Sequence, residues 1–216
     1  VLGVSQRAGN RANGRRGRWW QNARMTTLQR TTDELIAFLP EILAAPRDQG
    51  TLDLVVARPA KGERDVLDEG RLDLAVGLVG DNWRDRPSNR MADGGPHPDM
   101  QLNVMGSRIL SFLAVDPDRR ALAGDQLIVD LDLSHENVPA GTVLTIGDPA
   151  AGGAEILVTA EPHTGCKLFV ERFGADAMRF VNGEHGRPLR LRGLNARVLT
   201  PGTIRPGDTV RVTRPA

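Results

Sequence analysis

The chain has little sulfur chemistry to offer: among its 216 residues there is one cysteine, Cys166. A single thiol cannot close a disulfide within the chain, which excludes a disulfide-stapled scaffold. Lysine is nearly absent, with only Lys61 and Lys167, an imbalance that speaks of genome composition more than of function. Long hydrophobic runs are missing too. Leu74-Ala75-Val76-Gly77-Leu78-Val79 is among the longest, far short of the roughly 20 residues that span a bilayer. No segment joins a basic start, an apolar stretch and a small-residue cleavage site, so no export signal and a reducing cytoplasm are expected. There is no Walker loop, no strand-linked Gly-x-Gly-x-x-Gly and no Gly-x-Ser-x-Gly elbow, which removes the commonest nucleotide and hydrolase signatures.

What is present is ordinary globular material. Hydrophobic residues make up 40% and charged residues 25%, enough to build a sizeable core. The net charge of +1 hides an asymmetry. Residues 1–24 hold six arginines (7, 11, 15, 16, 18 and 24) and no acid, so without them the balance falls from +1 to −5. This segment is expected to be a disordered or non-native basic extension ahead of Met25. An arginine-rich arm with Trp19 and Trp20 is also a composition that binds nucleic acid, but the acidic body argues against such a partner.

Thr31 and Glu34 have capping-box spacing, and Leu35, Phe38, Leu39, Ile42 and Leu43 form an apolar stripe, so a helix is expected from Thr31, bent by Pro40 and stopped by Pro46. Beyond it the pattern turns to short strands: Leu52–Arg58, Leu72–Val76, Ile109–Val115, Gln126–Leu133, Thr142–Ile146, Ile156–Thr159, Ala196–Leu199 and Thr209–Val212. Residues 80–98 read as a long loop. Phe169–Val181 reads as a second helix that Gly174 can break. About eight short strands with glycine turns and few helices predict a mainly β protein with a barrel or sandwich core. The expected organisation is an extension over 1–24, an N-terminal helix and linker over 25–50, and a β-barrel domain over 51–216.

Cys166 lies in Pro162-His163-Thr164-Gly165-Cys166-Lys167 at the start of the second helix. Nearby basic groups and a helix N-terminus favour the reactive thiolate; the alternative is an inert buried thiol. A zinc site would need four ligands, and His97, His135 and His185 are scattered over separate loops. A Cys–His hydrolase is a further option, but His163 stands only three residues from Cys166, whereas such dyads draw the base from elsewhere in the fold. Arg190, Arg192 and Arg197 lie near glycine turns. Arginine forks suit phosphate oxygens, but taken in isolation these residues read rather as a solvated strand edge.

Several elements follow one another in order: Gly77-Leu78-Val79-Gly80-Asp81, Glu136-Asn137 before Pro139-Ala140-Gly141, and Pro162-His163-Thr164-Gly165-Cys166 with Arg172-Phe173-Gly174. Asn182, Arg192-Gly193 and the closing Gly202-Thr203-Ile204-Arg205-Pro206-Gly207-Asp208 complete the set. Together, over about residues 52–213, they resemble the MOSC family, named for the C-terminal domain of molybdenum cofactor sulfurases.

The resemblance implies a MOSC-type β-barrel and a molybdenum cofactor, with Cys166 ligating the metal through sulfur. It implies catalytic roles for Cys166, His163 (a proton donor) and Glu136, and cofactor contacts from Asn137, Thr164, Lys167, Asn182, Arg192, Arg108, Asp99 and Asn103. The implied activity is reduction of small N-hydroxylated compounds, with electrons from a separate reductase because no flavin or iron–sulfur motif is present. The alternative is a non-catalytic carrier of the cofactor or of persulfide sulfur. The chain departs from some bacterial relatives, which carry Asp-Lys-Ala-Val-His where this chain has Asp99-Met100-Gln101-Leu102-Asn103. Met100 and Asn103 thus remove a cation and a histidine. No membrane contact is implied.

Overall fold

Thr31 starts the first helix with a full capping box: its hydroxyl accepts from the Glu34 amide, and the Glu34 side chain accepts from the Thr31 amide. Helix α1 (Thr32–Ala37) follows, and α2 (Leu39–Leu43) restarts with Pro40 in its first turn, where a missing N–H costs nothing. The computed structural model describes residues 29–216; the expectations for residues 1–24 lie outside the described residues.

The chain then runs β1 (Gln49–Ala57), β2 (Asp65–Leu67), β3 (Gly70–Asp73), β4 (Gly77–Leu78), β5 (Leu102–Gly106), α3 (Ser107–Ala114) and β6 (Leu127–Asp130). It continues through β7 (Val143–Ile146), β8 (Ala154–Val158), α4 (Lys167–Phe173), α5 (Ala175–Asn182), β9 (Leu194–Thr200), β10 (Gly202–Ile204) and β11 (Thr209–Thr213). Seven strands close into a ring in the order β11-β7-β8-β9-β5-β6-β1, because β1 pairs again with β11; β2 extends β1, and β10-β3-β4 form a small separate sheet. The expected mainly β barrel with a few short helices is what the structure shows.

All barrel pairings are antiparallel except β5–β6. A parallel neighbour needs a crossover rather than a hairpin, and α3 with the 3₁₀ turns of Pro117–Ala123 supplies it. This corrects the expected strand over Ile109–Val115. Its buried residues Ile109, Leu110, Leu113 and Ala114 recur at helical spacing, and the strand of this region is β5, just upstream. The expected strand over Leu72–Val76 also ends early, because the Asp73 carboxylate accepts from the Ala75 and Val76 amides and turns the chain.

The parallel pair has two cores. Val104, Leu127 and Val129 point into the barrel with Leu52, Leu144, Ile156 and Val210. Met105 and Ile128 point outward, under α1, α3, α4 and α5 and their Leu35, Leu110, Phe169 and Phe173. Burial on both faces is what a parallel pair requires, and it shows in the apolar Leu127-Ile128-Val129 of β6. Gly174, at φ +95°, separates α4 from α5 as expected.

Candidate functional site

Polar residues gather where the N-terminal ends of β5 and β6 meet the exit of β1. Arg58 and Asp81 form a bidentate pair that is almost wholly buried, with Nε–Oδ2 at 2.8 Å and Nη2–Oδ1 at 2.9 Å. The Asp81 carboxylate also accepts from the amides of Arg58 and Trp83 and from the Gln126 side chain. Arg58 in turn donates to Asn103 Oδ1 (2.8 Å) and the Gly124 carbonyl (3.0 Å), and Asn103 Nδ2 donates to Asn195 Oδ1. A buried network survives only when its members are satisfied, and here each charge has a partner.

Asp125 anchors a second buried cluster. Its carboxylate accepts from Arg192 (2.8 and 2.9 Å) and lies 2.7 Å from His163 Nε2. Burial opposes the Asp125 charge, but Arg192 and then His163 outweigh it and hold the carboxyl below its ordinary value. Burial, reinforced by Arg192 and only partly opposed by Asp125, lowers the His163 pKa. His163 is therefore neutral at pH 7. Since an ionised carboxylate can only accept, His163 Nε2 carries the proton and gives it to Asp125, which leaves Nδ1 as a lone-pair acceptor. That state offers no readily transferable proton, whereas the resemblance implies a proton donor at this position.

The sign of the resulting pH dependence is fixed. Below the ordinary histidine value of 6.5 the unfolded chain takes up a proton that folded His163 refuses, so stability falls as pH drops through that point. Asp125 adds a second loss below 3.8, where the unfolded carboxyl protonates first. Urea unfolding across pH 7 to 5 is expected to show this decline in wild type and a shallower one in His163→Gln, where only the share of His135, also lowered by burial, remains.

Cys166 is exposed and forms the N-cap of α4, its carbonyl accepting from the Phe169 amide. The loop that presents it is held from α5. The Gly165 amide donates to Asn182 Oδ1 at 3.1 Å, and a Cβ on Gly165 would stand 2.4 Å from Met178 Sδ, so only glycine passes there without moving Met178. Arg86 and Arg172 both lie within electrostatic reach of Cys166. Arg172 and Arg64 converge over Gly124: a Cβ there would meet Arg64 Nη2 at 3.0 Å and Arg172 Nη1 at 3.7 Å. Gly124 has φ +84°, which also favours glycine.

Arg64, Arg86 and Arg172 make no salt bridge to a carboxylate among the described residues. Burial, followed by the repulsion of Arg172 and Arg58, pushes the Arg64 pKa down to about 10. Burial and Arg58 lower Arg86 as well, and burial lowers Arg172. Arg64 Nε and Arg192 Nε are buried without a partner. Crowded, undercompensated guanidiniums with orphaned donors make a ready anion site.

The residues expected to act together fall into two groups. Cys166, His163, Thr164, Lys167, Asn182, Arg192 and Asn103 belong to this region. Thr164 and Lys167 are exposed, and Arg192 is committed to Asp125. Asp99 sits beside β9, 3.7 Å from Arg197. Glu136, Asn137 and Arg108 lie elsewhere, toward the C-terminal ends of β5 and β6; Asp125 and Asp130 are about 16 Å apart along β6 by strand rise. Glu136 is exposed and pairs with Arg47. Asn137 is fully buried and donates to the Arg47 and Asp132 carbonyls while accepting from Arg214. Arg108 pairs with Asp130. Arg58, Arg64, Arg86, Asp125 and Gly124 were not singled out from the sequence; Arg172 was noted only within its motif. Their convergence is tertiary, and no local spacing announces it. Among the described residues, no group of three or more His, Cys, Asp or Glu is arranged to hold a metal ion, and no helix is long and apolar enough to cross a membrane.

Fold and site together define a closed mixed β-barrel with a cluster of arginines near an exposed thiol. The crystal structure of YUAD protein from Bacillus subtilis shares the fold, with a TM-score of 0.56 and 15% identity over 76% of this chain and 95% of that one. The crystal structure of YiiM from Escherichia coli gives a TM-score of 0.47 at 20% identity, over 77% and 71%. The likeness to the Bacillus subtilis protein is one of fold. No family model matches the chain, and no curated protein matches it.

Proposed function

We propose that the chain is a MOSC-type protein whose arginine cluster takes the phosphate-bearing molybdenum cofactor, with Cys166 as the protein's ligand to the metal. The observation that carries this reading is the convergence of Arg64 and Arg172 on Gly124, beside Cys166 and with Arg64 Nε orphaned. Glycine at 124 lets the two guanidiniums pack close together, and paired guanidiniums suit phosphate oxygens. A soft thiolate suits a metal whose remaining ligands are sulfurs brought by the pterin. The chain then needs to donate only one ligand, which agrees with the lack of a clustered donor set among the described residues.

In this reading Arg64, Arg86 and Arg172 hold the anion, and Asn182 fixes the Gly165 amide and so the approach of Cys166. The Arg58–Asp81 and Asp125–Arg192 pairs keep the surrounding walls rigid. Once bound, the cofactor supplies two-electron chemistry that removes oxygen from an N-hydroxylated substrate, with electrons from a separate reductase. His163 Nδ1 can accept a hydrogen bond from substrate or water; the proton for departing water would come from solvent or from a group of higher pKa.

A second reading, a carrier of cofactor or of persulfide sulfur, is favoured by the exposure of Cys166 and the committed proton of His163. Protein from a cofactor-competent host is expected to carry molybdenum and pterin near stoichiometry, and Cys166→Ala to lose the metal while retaining its fold. Full metal retention by that variant overturns the ligand assignment. Reduction of an amidoxime with an artificial electron donor separates the two readings: turnover by loaded protein establishes the reductase, and its absence the carrier.

A further inference from the structure

The C-terminal ends of β5 and β6 open into a cleft of about 400 Å³, within the ~300–1,000 Å³ range of small-molecule sites. Ile42, Leu131, Leu133 and Leu189 give it an apolar floor. The turn from β5 into α3 lies in it, as Gly106-Ser107-Arg108. Gly106 caps α3 with no side chain, so the first-turn amides lack a side-chain acceptor and the positive end of the helix faces the cleft. Ser107 is 5% exposed and lines the cleft, yet its hydroxyl has no partner among the described residues.

Three arginines and three carboxylates line the cleft, so its formal charges balance, but they are unevenly paired. Arg108 is bidentate to Asp130, Arg47 is bonded to Glu136 and lies 4.0 Å from Asp132, and Asp132 also accepts from the Ser134 amide. His135 is neutral, held low by burial and by Arg190. Arg190 is left over. It has no carboxylate among the described residues, and its side chain donates only to the Val138 carbonyl. Among the described residues it is also one of two non-glycine residues at positive φ, at +48°, a conformation that costs a residue with a Cβ and that clusters at ligand sites.

We infer that this cleft is a second ligand site, for a small monocarboxylate with an apolar body. The carboxylate meets the Ser107 hydroxyl, the first turn of α3 and Arg190, and the body lies on the leucine and isoleucine floor. The helix end and the unpaired guanidinium select the negative head; the floor selects against inorganic anions. The inference stands apart from the Cys166 site, at the other end of the parallel pair.

Calorimetric titration of the full chain tests it, with 4-phenylbutyrate as probe and 4-phenylbutanamide as the uncharged control. Saturable one-to-one binding of the acid is expected, with the amide at least tenfold weaker. Arg190→Gln should weaken the acid at least tenfold and Ser107→Ala several-fold, while Arg190→Lys keeps most of the affinity and Arg64→Gln leaves it unchanged. Melting curves confirm that each variant is folded; should Arg190→Gln not fold, Ser107→Ala and the amide control decide. No saturable binding, equal binding of the amide, or loss of binding in Arg64→Gln would overturn the proposal, the last by placing the acid in the arginine cluster.

Discussion

Asp81→Asn is expected to lower folding stability by about 3–5 kcal/mol, the cost of leaving a buried charge without its counter-ion. The Arg58–Asp81 pair is nearly sealed from water, and the carboxylate gathers the Arg58 guanidinium, two backbone amides and the Gln126 side chain. Asparagine keeps the shape but presents an NH₂ group where two donors already point. Arg58 then stays charged in a dry site, and its bonds to Asn103 and the Gly124 carbonyl cannot replace a carboxylate. Urea unfolding measures the loss. The double variant Arg58→Met/Asp81→Leu separates pair energy from desolvation: it should be far less damaging than Asp81→Asn, since removing both charges removes the penalty with the attraction. A double variant as damaged as the single would show that the surrounding hydrogen bonds carry the stability.

Arg64→Gln/Arg172→Gln is expected to act in opposite directions on the empty and the anion-bound protein. In the empty state the two guanidiniums crowd Gly124 and repel each other and Arg58, which is why Arg64 is held near 10. Removing them should stabilise the ligand-free fold by on the order of 1 kcal/mol, a figure kept small because Arg64 is partly open to screening solvent. Each lost charge-assisted hydrogen bond is worth about 1.5–3 kcal/mol to a bound anion, so affinity for a phosphate monoester should fall about a hundredfold or more. Melting temperature with and without the ester reads both effects. A variant that is less stable when empty and unaltered in binding would make these arginines structural.

Much of the barrel was legible because its strands alternate or end at glycine turns: Val143–Ile146, Ala154–Val158 and Thr209–Thr213 lie within a residue or two of expectation. The Thr31–Glu34 box and the break at Gly174 were equally local. The segment Ile109–Val115 misled because a short apolar run has no period long enough to separate strand from helix. What decides it is the parallel pairing of β5 with β6, a non-local fact that demands a crossover. The site divides the same way. Cys166 at the head of α4 could be read from its neighbours, and Asn182 and Arg172 from their motifs. Arg58, Arg64 and Arg86 are set on the exit of β1, the approach to β2 and the loop after β4, and meet only once the barrel has closed. Asn137 drew notice as a polar residue in a motif, but its amide serves the backbone of Arg47 and Asp132.

The ladder that completes the ring has a kinetic meaning. It joins Gln49 to Arg211 and Thr51 to Thr209, partners about 160 positions apart, whereas β7–β8 forms from neighbouring segments. Closing so large a loop costs chain entropy before any contact repays it. The β1–β11 seam should therefore zip late, after the hairpin and the β5–α3–β6 unit, and refolding should fall in the millisecond-to-second range of non-local β topologies. Substitutions along that seam should accelerate unfolding while leaving the folding rate nearly untouched, so the lifetime of the native barrel is set at its last-made edge.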